Sequence, residues 1–197
     1  PYAFFLLCGF MLLNLFTGSI SSSIGAISSN QGLLVFRKVQ PLDPFIARFI
    51  FQLLTISSAL IIFCLIAAWF GIALSVERLP EATACIVLTW LIGSGMGLHL
   101  GIAAMKVKEL EKIIGYAMRP LLFLSAVLYP IDAIPPVYAK YLLYNPLVHT
   151  IEYLRTALFP IYTVDNVNLY YPATWALCSC SLGLMSYRNN RHFLTQR

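Results

Sequence analysis

Charged side chains are missing from four long stretches of this chain: residues 1–36, 49–76, 82–105 and 166–187 contain no Asp, Glu, Lys or Arg. A helix needs roughly 20 apolar residues to cross about 30 Å of hydrocarbon, and each gap is long enough. A shorter charge-free run, 120–131, follows Arg119-Pro120 and completes a further span at about 112–130. The runs are too long and too little alternating for barrel strands. The expected fold is therefore all-α and polytopic, with transmembrane helices at about 4–28, 49–74, 82–105, 112–130 and 169–187 of a single domain, 1–197. Composition agrees, because only 11% of the 197 residues are charged against about 25% in soluble proteins. That excludes a soluble enzyme and a disordered chain alike.

The loops set an orientation. Arg37, Lys38 and Arg48, then Lys106, Lys108, Lys112 and Arg119, then Arg188, Arg191 and Arg197 fall on one side; Arg78, Lys140 and Arg155 fall on the other. The positive-inside rule puts the first set in the cytoplasm, so residue 1 is expected outside and residue 197 inside. That side also holds Asp43, Glu109 and Glu111, for a charge of +7; the outer side carries −2, which sums to the +5 of the chain. The basic balance thus reads as membrane orientation, and no nucleic-acid partner is expected. An external start at Pro1, with no methionine or basic leader, predicts at least one preceding span, six in the full chain.

Within the spans, Gly93, Gly97 and Gly101 form an i+4 ladder, with Gly95 nearby. Ser21, Gly25 and Ser29 form a second small face, beside Gly18, Ser22 and Ala26. Such faces let helix backbones approach closely, and the hydroxyl-rich one could equally line a polar path. Cys8, Cys64, Cys85, Cys178 and Cys180 form no CxxC and read as small hydrophobes. His99 has no acidic or second imidazole partner on its helix, so a helix–helix hydrogen bond outranks catalysis. No catalytic residue and no metal set is expected. Arg119 either snorkels to the cytoplasmic headgroups or holds a phosphate at a cytoplasmic entrance, beside a helix loosened by Pro120.

Two loops stand out. Residues 29–38 place Leu33 to Phe36 between Asn30-Gln31 and Arg37-Lys38. That pattern suits a short helix at the membrane surface, or a knob that docks in a partner's groove. Residues 131–159 carry two more apolar pieces, too short to span and so re-entrant or interfacial. Asn145-Pro146 is a strong helix start, an N-cap followed by proline at the first turn. Along that second piece His149, Glu152 and Arg155 recur at i+3 as one polar face. Eight of the 11 tyrosines lie between Tyr129 and Tyr171, as an aromatic belt or a platform for sugar rings.

Ser23-Ile24-Gly25-Ala26-Ile27, Asn30-Gln31-Gly32-Leu33 and Pro41-x-Asp43 with Ala47-Arg48 resemble ABC-2 type permeases that export capsular polysaccharide in Gram-negative bacteria. So do Tyr129-Pro130, Ile134-Pro135 and Tyr141-Leu142-Leu143-x-Asn145-Pro146-Leu147-Val148-His149, with Glu152 and Arg155. The resemblance runs nearly the whole length; the family's N-terminal interface helix and first span have no counterpart here. It implies an inner-membrane permease of lipid-linked polysaccharide that works as a homodimer with an ATP-binding subunit. A periplasmic co-polymerase and an outer-membrane channel are implied as further partners. Asn30, Gln31, Gly32, Leu33, Phe36 and Arg37 would couple to the ATPase. Tyr129, Tyr138, Tyr141, Tyr144, Asn145, His149, Glu152 and Arg155 would form the periplasmic gate and glycan path.

No GxxxxGK[ST] and no Gly-Lys pair occurs, so this chain is not expected to hold nucleotide; ATP and Mg would enter through the partner. The rivals are an ABC-2 permease for O-antigen, teichoic acid or a small lipophile, and an ion-coupled secondary transporter. The second would need buried ionisable groups on an ion path, and four separated spans have no acidic residue in their cores. A membrane enzyme lacks a clustered Asp, Glu, His or Cys set.

Overall fold

In the computed structural model, residues 2–26, 29, 40–72, 75–160, 162–164 and 166–195 are described. Among them are eight α-helices and no strand: α1 (Tyr2–Ser23), α2 (Asp43–Trp69), α3 (Leu79–Lys106), α4 (Glu109–Met118), α5 (Leu121–Leu124), α6 (Pro136–Leu142), α7 (Pro146–Leu158) and α8 (Tyr170–Thr195). The all-α, polytopic class expected from the charge-free runs is the class observed.

Three of the five expected spans, α1, α2 and α3, are both long and apolar enough to cross a membrane. At 1.5 Å per residue α8 is about 39 Å long, ample for a crossing, but serines, tyrosines and asparagines dilute its apolar side chains. The expected span at 112–130 is not one helix. Pro120 lacks the N–H that would continue the ladder, so α4 stops at Met118 and a single turn, α5, follows. The chain then leaves helical geometry at Ala126, whose φ is 53°. A left-handed alanine is costly and persists only where its surroundings demand it.

Helix ends also differ from the edges of the charge-free runs. α2 begins at Asp43-Pro44, six residues before the expected 49, because an acidic residue and a proline suit a first turn. Arg48 donates from its guanidinium to the Ser22 carbonyl and the Ser29 hydroxyl, placing a cation where α1 ends. Gly25, at φ 76°, supplies the left-handed turn there.

α3 is the centre of the bundle, packed chiefly against α8 and α1, with α7 beside it. The glycine ladder explains one of these contacts. A Cβ on Gly97 would lie 2.6 Å from Ser23 Oγ, and one on Gly101 would lie 2.9 Å from the Ser23 carbonyl oxygen. A Cβ on Gly93 would meet the Phe16 backbone at 3.2 Å. The facing serines are Ser19 and Ser23, both buried. Their hydroxyls donate to Leu15 O and Ser19 O of their own helix, so the Ser19–Ser23 face is packing surface, whereas Ser21 and Ser29 of the expected small face are exposed.

Gly95 points the other way. Its Cβ would sit 2.5 Å from Cys180 N, and a Cβ on Gly183 would sit 2.6 Å from Gly95 O, so α3 and α8 meet backbone to backbone. His99 adds the expected interhelical hydrogen bond, Nδ1 to Ser186 Oγ at 2.5 Å. All five cysteines are free, and Cys8 and Cys85 are buried in the apolar core. α2 lies at the periphery, with Ile50, Phe51, Leu54, Ile61, Leu65 and Trp69 facing outward.

Candidate functional site

α7 starts as its sequence dictates. Asn145 Oδ1 accepts from Leu147 N at 3.0 Å, and Pro146 takes the first helical position. The same amide donates from Nδ2 to Leu124 O at 3.1 Å and to Ser125 Oγ at 3.0 Å, tying the start of α7 to the end of α5.

The i+3 polar face of α7 turns inward. Glu152 and Arg155 have 0% exposure and His149 5%, so all three lie inside the protein. Arg155 Nη1 pairs with Glu152 Oε1 at 3.0 Å and donates to Ala126 O at 2.9 Å. Nη2 donates to Val127 O at 2.7 Å and Nε to Phe5 O at 3.3 Å, while the guanidinium carbon sits 3.5 Å from the Phe5 ring centroid. Glu152 completes the unit: Oε1 accepts from Ile131 N at 3.2 Å and Oε2 from the Tyr162 hydroxyl at 2.5 Å.

A buried ion pair is stable only when its polar atoms find further partners, and here each nitrogen and oxygen of the pair has at least one. The left-handed Ala126 now has a reason. Turning the chain there presents two successive carbonyls to one guanidinium. Gly9 has a reason as well: a Cβ there would lie 2.7 Å from Arg155 Nη2, so glycine leaves room for the guanidinium against α1. Burial pushes the Glu152 carboxyl above its ordinary range, and the Tyr162 hydroxyl and Arg155 pull it back.

His149 makes a second tie. Its Nε2 is 2.9 Å from the Leu143 carbonyl, and Nδ1 accepts from Asn168 N at 3.3 Å. Those partners select the neutral Nε2–H form, and burial lowers the imidazole pKa, which favours the same form. Tyr171 packs on the imidazole, centroids 5.1 Å apart, and its hydroxyl donates to Tyr144 O at 2.7 Å. Ionic and imidazole ties together anchor Phe5, Ala126, Val127, Ile131, Leu143, Tyr162 and Asn168 to one short helix.

The other residues expected at the gate behave differently. Tyr138, Tyr141 and Tyr144 are 65%, 69% and 62% exposed, one stripe along α6 and its end. Tyr129 is half-buried, and its hydroxyl donates to Phe123 O. Arg119 is exposed at the break between α4 and α5, its guanidinium carbon 5.2 Å from the Tyr116 ring centroid. Asn30, Gln31, Gly32, Leu33, Phe36 and Arg37 lie outside the described residues. Among the described residues no group of three His, Cys, Asp or Glu is placed to hold a metal ion.

Sequence reasoning passed over Gly9, Phe5, Ala126 and Tyr162. Gly9 alone left a trace, as an isolated glycine in an apolar helix. The carbonyls of Phe5, Ala126 and Val127 leave none, because every residue has one.

Three apolar helices of crossing length, closed by glycine contacts and joined to two short helices, define a multi-pass α-helical membrane protein. Residues 1–159 match the ABC-2 type transporter family, and the chain belongs to it. It is similar to the polysialic acid transport protein KpsM of Escherichia coli, 35% identical over 93% of this chain and 71% of KpsM. It is also similar to the capsule polysaccharide export inner-membrane protein CtrC of Neisseria meningitidis serogroup B, 26% identical over 93% of this chain and 67% of CtrC. A third relative is the capsule polysaccharide export inner-membrane protein BexB of Haemophilus influenzae, 23% identical over 94% and 70%.

Proposed function

We propose that this chain is the inner-membrane permease subunit of an ATP-driven exporter that moves lipid-linked capsular polysaccharide. The observation that carries this reading is the 35% identity to a polysialic acid transport protein across 93% of the chain. Two further relatives named for capsule polysaccharide export support it over the same span. Cytoplasmic energy comes from an ATP-binding subunit, which brings ATP and Mg; residues 29–38 are its docking segment. Two copies of the chain enclose the path, with the outward faces of α2 and α4 free for lipid or the second copy. Residue 197 lies in the cytoplasm and the α6–α7 pair in the periplasm, next to a co-polymerase and an outer-membrane channel. Arg119 meets the phosphate-bearing end of the cargo.

Within this arrangement Tyr138, Tyr141 and Tyr144 face the glycan. Asn145, His149, Glu152 and Arg155 serve the gate from beneath, by holding its backbone in place. Tyr129 joins them through its bond to Phe123 O. The test is complementation. In a capsulated Gram-negative strain lacking its own permease, the chain should restore surface polysaccharide while its partner's ATPase is intact. Polymer retained in the cytoplasm despite normal membrane insertion would refute the proposal.

A further inference from the structure

A cleft beside the α6–α7 turn has the chemistry of a binding site. Two adjoining cavities, about 380 and 330 Å³, share Lys140, Leu143 and Asn166 as their common wall. Asp132 lines the first, and Tyr144, His149 and Tyr171 line the second. Both volumes are in the range of small-molecule sites.

Two kinds of polar group line this cleft. One set is fully engaged and makes the wall rigid: His149 between Leu143 O and Asn168 N, Tyr171 through its hydroxyl to Tyr144 O, and Asn168 Oδ1 accepting from Tyr171 N at 3.0 Å. The other set is unspent. Asp132, Lys140 and the Asn166 amide make no hydrogen bond or ion pair among the described residues. Asp132 and Lys140 line the same cavity without pairing to each other. A carboxylate, an ammonium and an amide held apart on a braced wall offer acceptors and donors that one ligand can bridge. Tyr171 and His149 supply flat ring surface at the same wall, on which an apolar sugar face packs.

The geometry points to a subsite for one acidic sugar residue of the exported glycan. Its carboxylate meets Lys140, its hydroxyls meet Asp132 and Asn166, and its ring lies toward Tyr171. This rests on the export reading above and adds a defined stop beside the gate, at the Tyr144 end of the exposed tyrosine stripe. A Kd of about 1 mM would suit a polymer that must move on.

The test uses the full chain in lipid nanodiscs, with a sialic acid trimer as probe and methyl glucoside as neutral control, read by saturation-transfer NMR. Lys140→Ala is expected to weaken trimer binding about tenfold and Asn166→Ala about fivefold, the charged contact being the stronger. Both residues are exposed, so thermal unfolding of the variants should match the parent and separate binding from folding. Equal trimer binding by parent and both variants would overturn the subsite. So would no binding at roughly 10 mM, or displacement by phosphoethanolamine, which would assign the cleft to a lipid headgroup. The export reading is judged separately: restored surface polysaccharide with unchanged variant binding sinks the subsite alone, whereas failed complementation sinks the export reading.

Discussion

The α1–α3–α8 interior and the α7 end of the molecule are held together in opposite ways. In the interior, contact is made by absence: Gly95, Gly97, Gly101 and Gly183 leave out side chains so that backbones touch, and the Ser19 and Ser23 hydroxyls are spent within α1. At the α7 end, contact is made by long charged side chains reaching backbone groups outside the α-helices, at Ala126, Val127 and Ile131, and one carbonyl of α1, at Phe5. The difference follows from where the backbone is satisfied. A continuous helix meets its own hydrogen bonds, so neighbours need only fit closely. A stretch of chain outside the α-helices must borrow partners, and Arg155 and Glu152 lend them.

The largest effect is expected from breaking the charged side. Arg155→Ala leaves a buried carboxylate and two carbonyls unpaired and should cost about 3–5 kcal/mol in chemical unfolding from micelles. Gly95→Val tests the interior. Its branched side chain enters the Ser179–Cys180 backbone, with an expected loss of about 2–3 kcal/mol and no change in the α7 end. A smaller loss for Gly95→Val than for a surface change on α2 would remove the glycine account.

Gly9→Ala joins the two regions, since its new Cβ would press on Arg155 Nη2. Alone it should cost about 1–2 kcal/mol, but less in an Arg155→Ala background, where only Val127 remains to press, its Cγ1 at 3.1 Å and its Cα at 3.2 Å. Strict additivity would show that Gly9 serves some other contact. Asn145→Ala removes the cap and the tie to Ser125 together, with about 1 kcal/mol expected.

The smallest effect is a pH dependence. His149 has a lowered pKa when folded, so the open form binds the proton more readily. Its tie to Asn168 is therefore fully present above about pH 6.5 and is lost as pH falls through the lower, folded value. Exchange at the Asn168 amide, corrected for its intrinsic rate, should speed up as pH is lowered below the ordinary imidazole range in the parent and not in His149→Phe.

Much of this fold was readable from where charges are missing, and the discrepancies have physical causes. Charge marks the edge of hydrocarbon, whereas caps mark the end of a helix, so α2 starts at Asp43-Pro44 and not at residue 49. The glycine ladder was legible because small residues at i+4 have a periodic signature. Gly95 shows its limit: two residues off the ladder, it makes the closer contact on the opposite face. At the site, the spacing of His149, Glu152 and Arg155 identified a face but not its direction. That direction was decided by backbone carbonyls far off in the chain, at Phe5 and Ala126–Val127, which carry no side-chain signal.

The central claim is that one arginine holds the irregular α7 end while glycines hold the rest. Hydrogen–deuterium exchange of the Arg155→Lys chain in nanodiscs tests it most directly, because lysine keeps the charge but loses the guanidinium fork. The account predicts faster exchange at residues 127–131 and 162–168, with the amides of α3 and α8 unchanged. Uniform acceleration across the bundle, or none near Ile131, would contradict it.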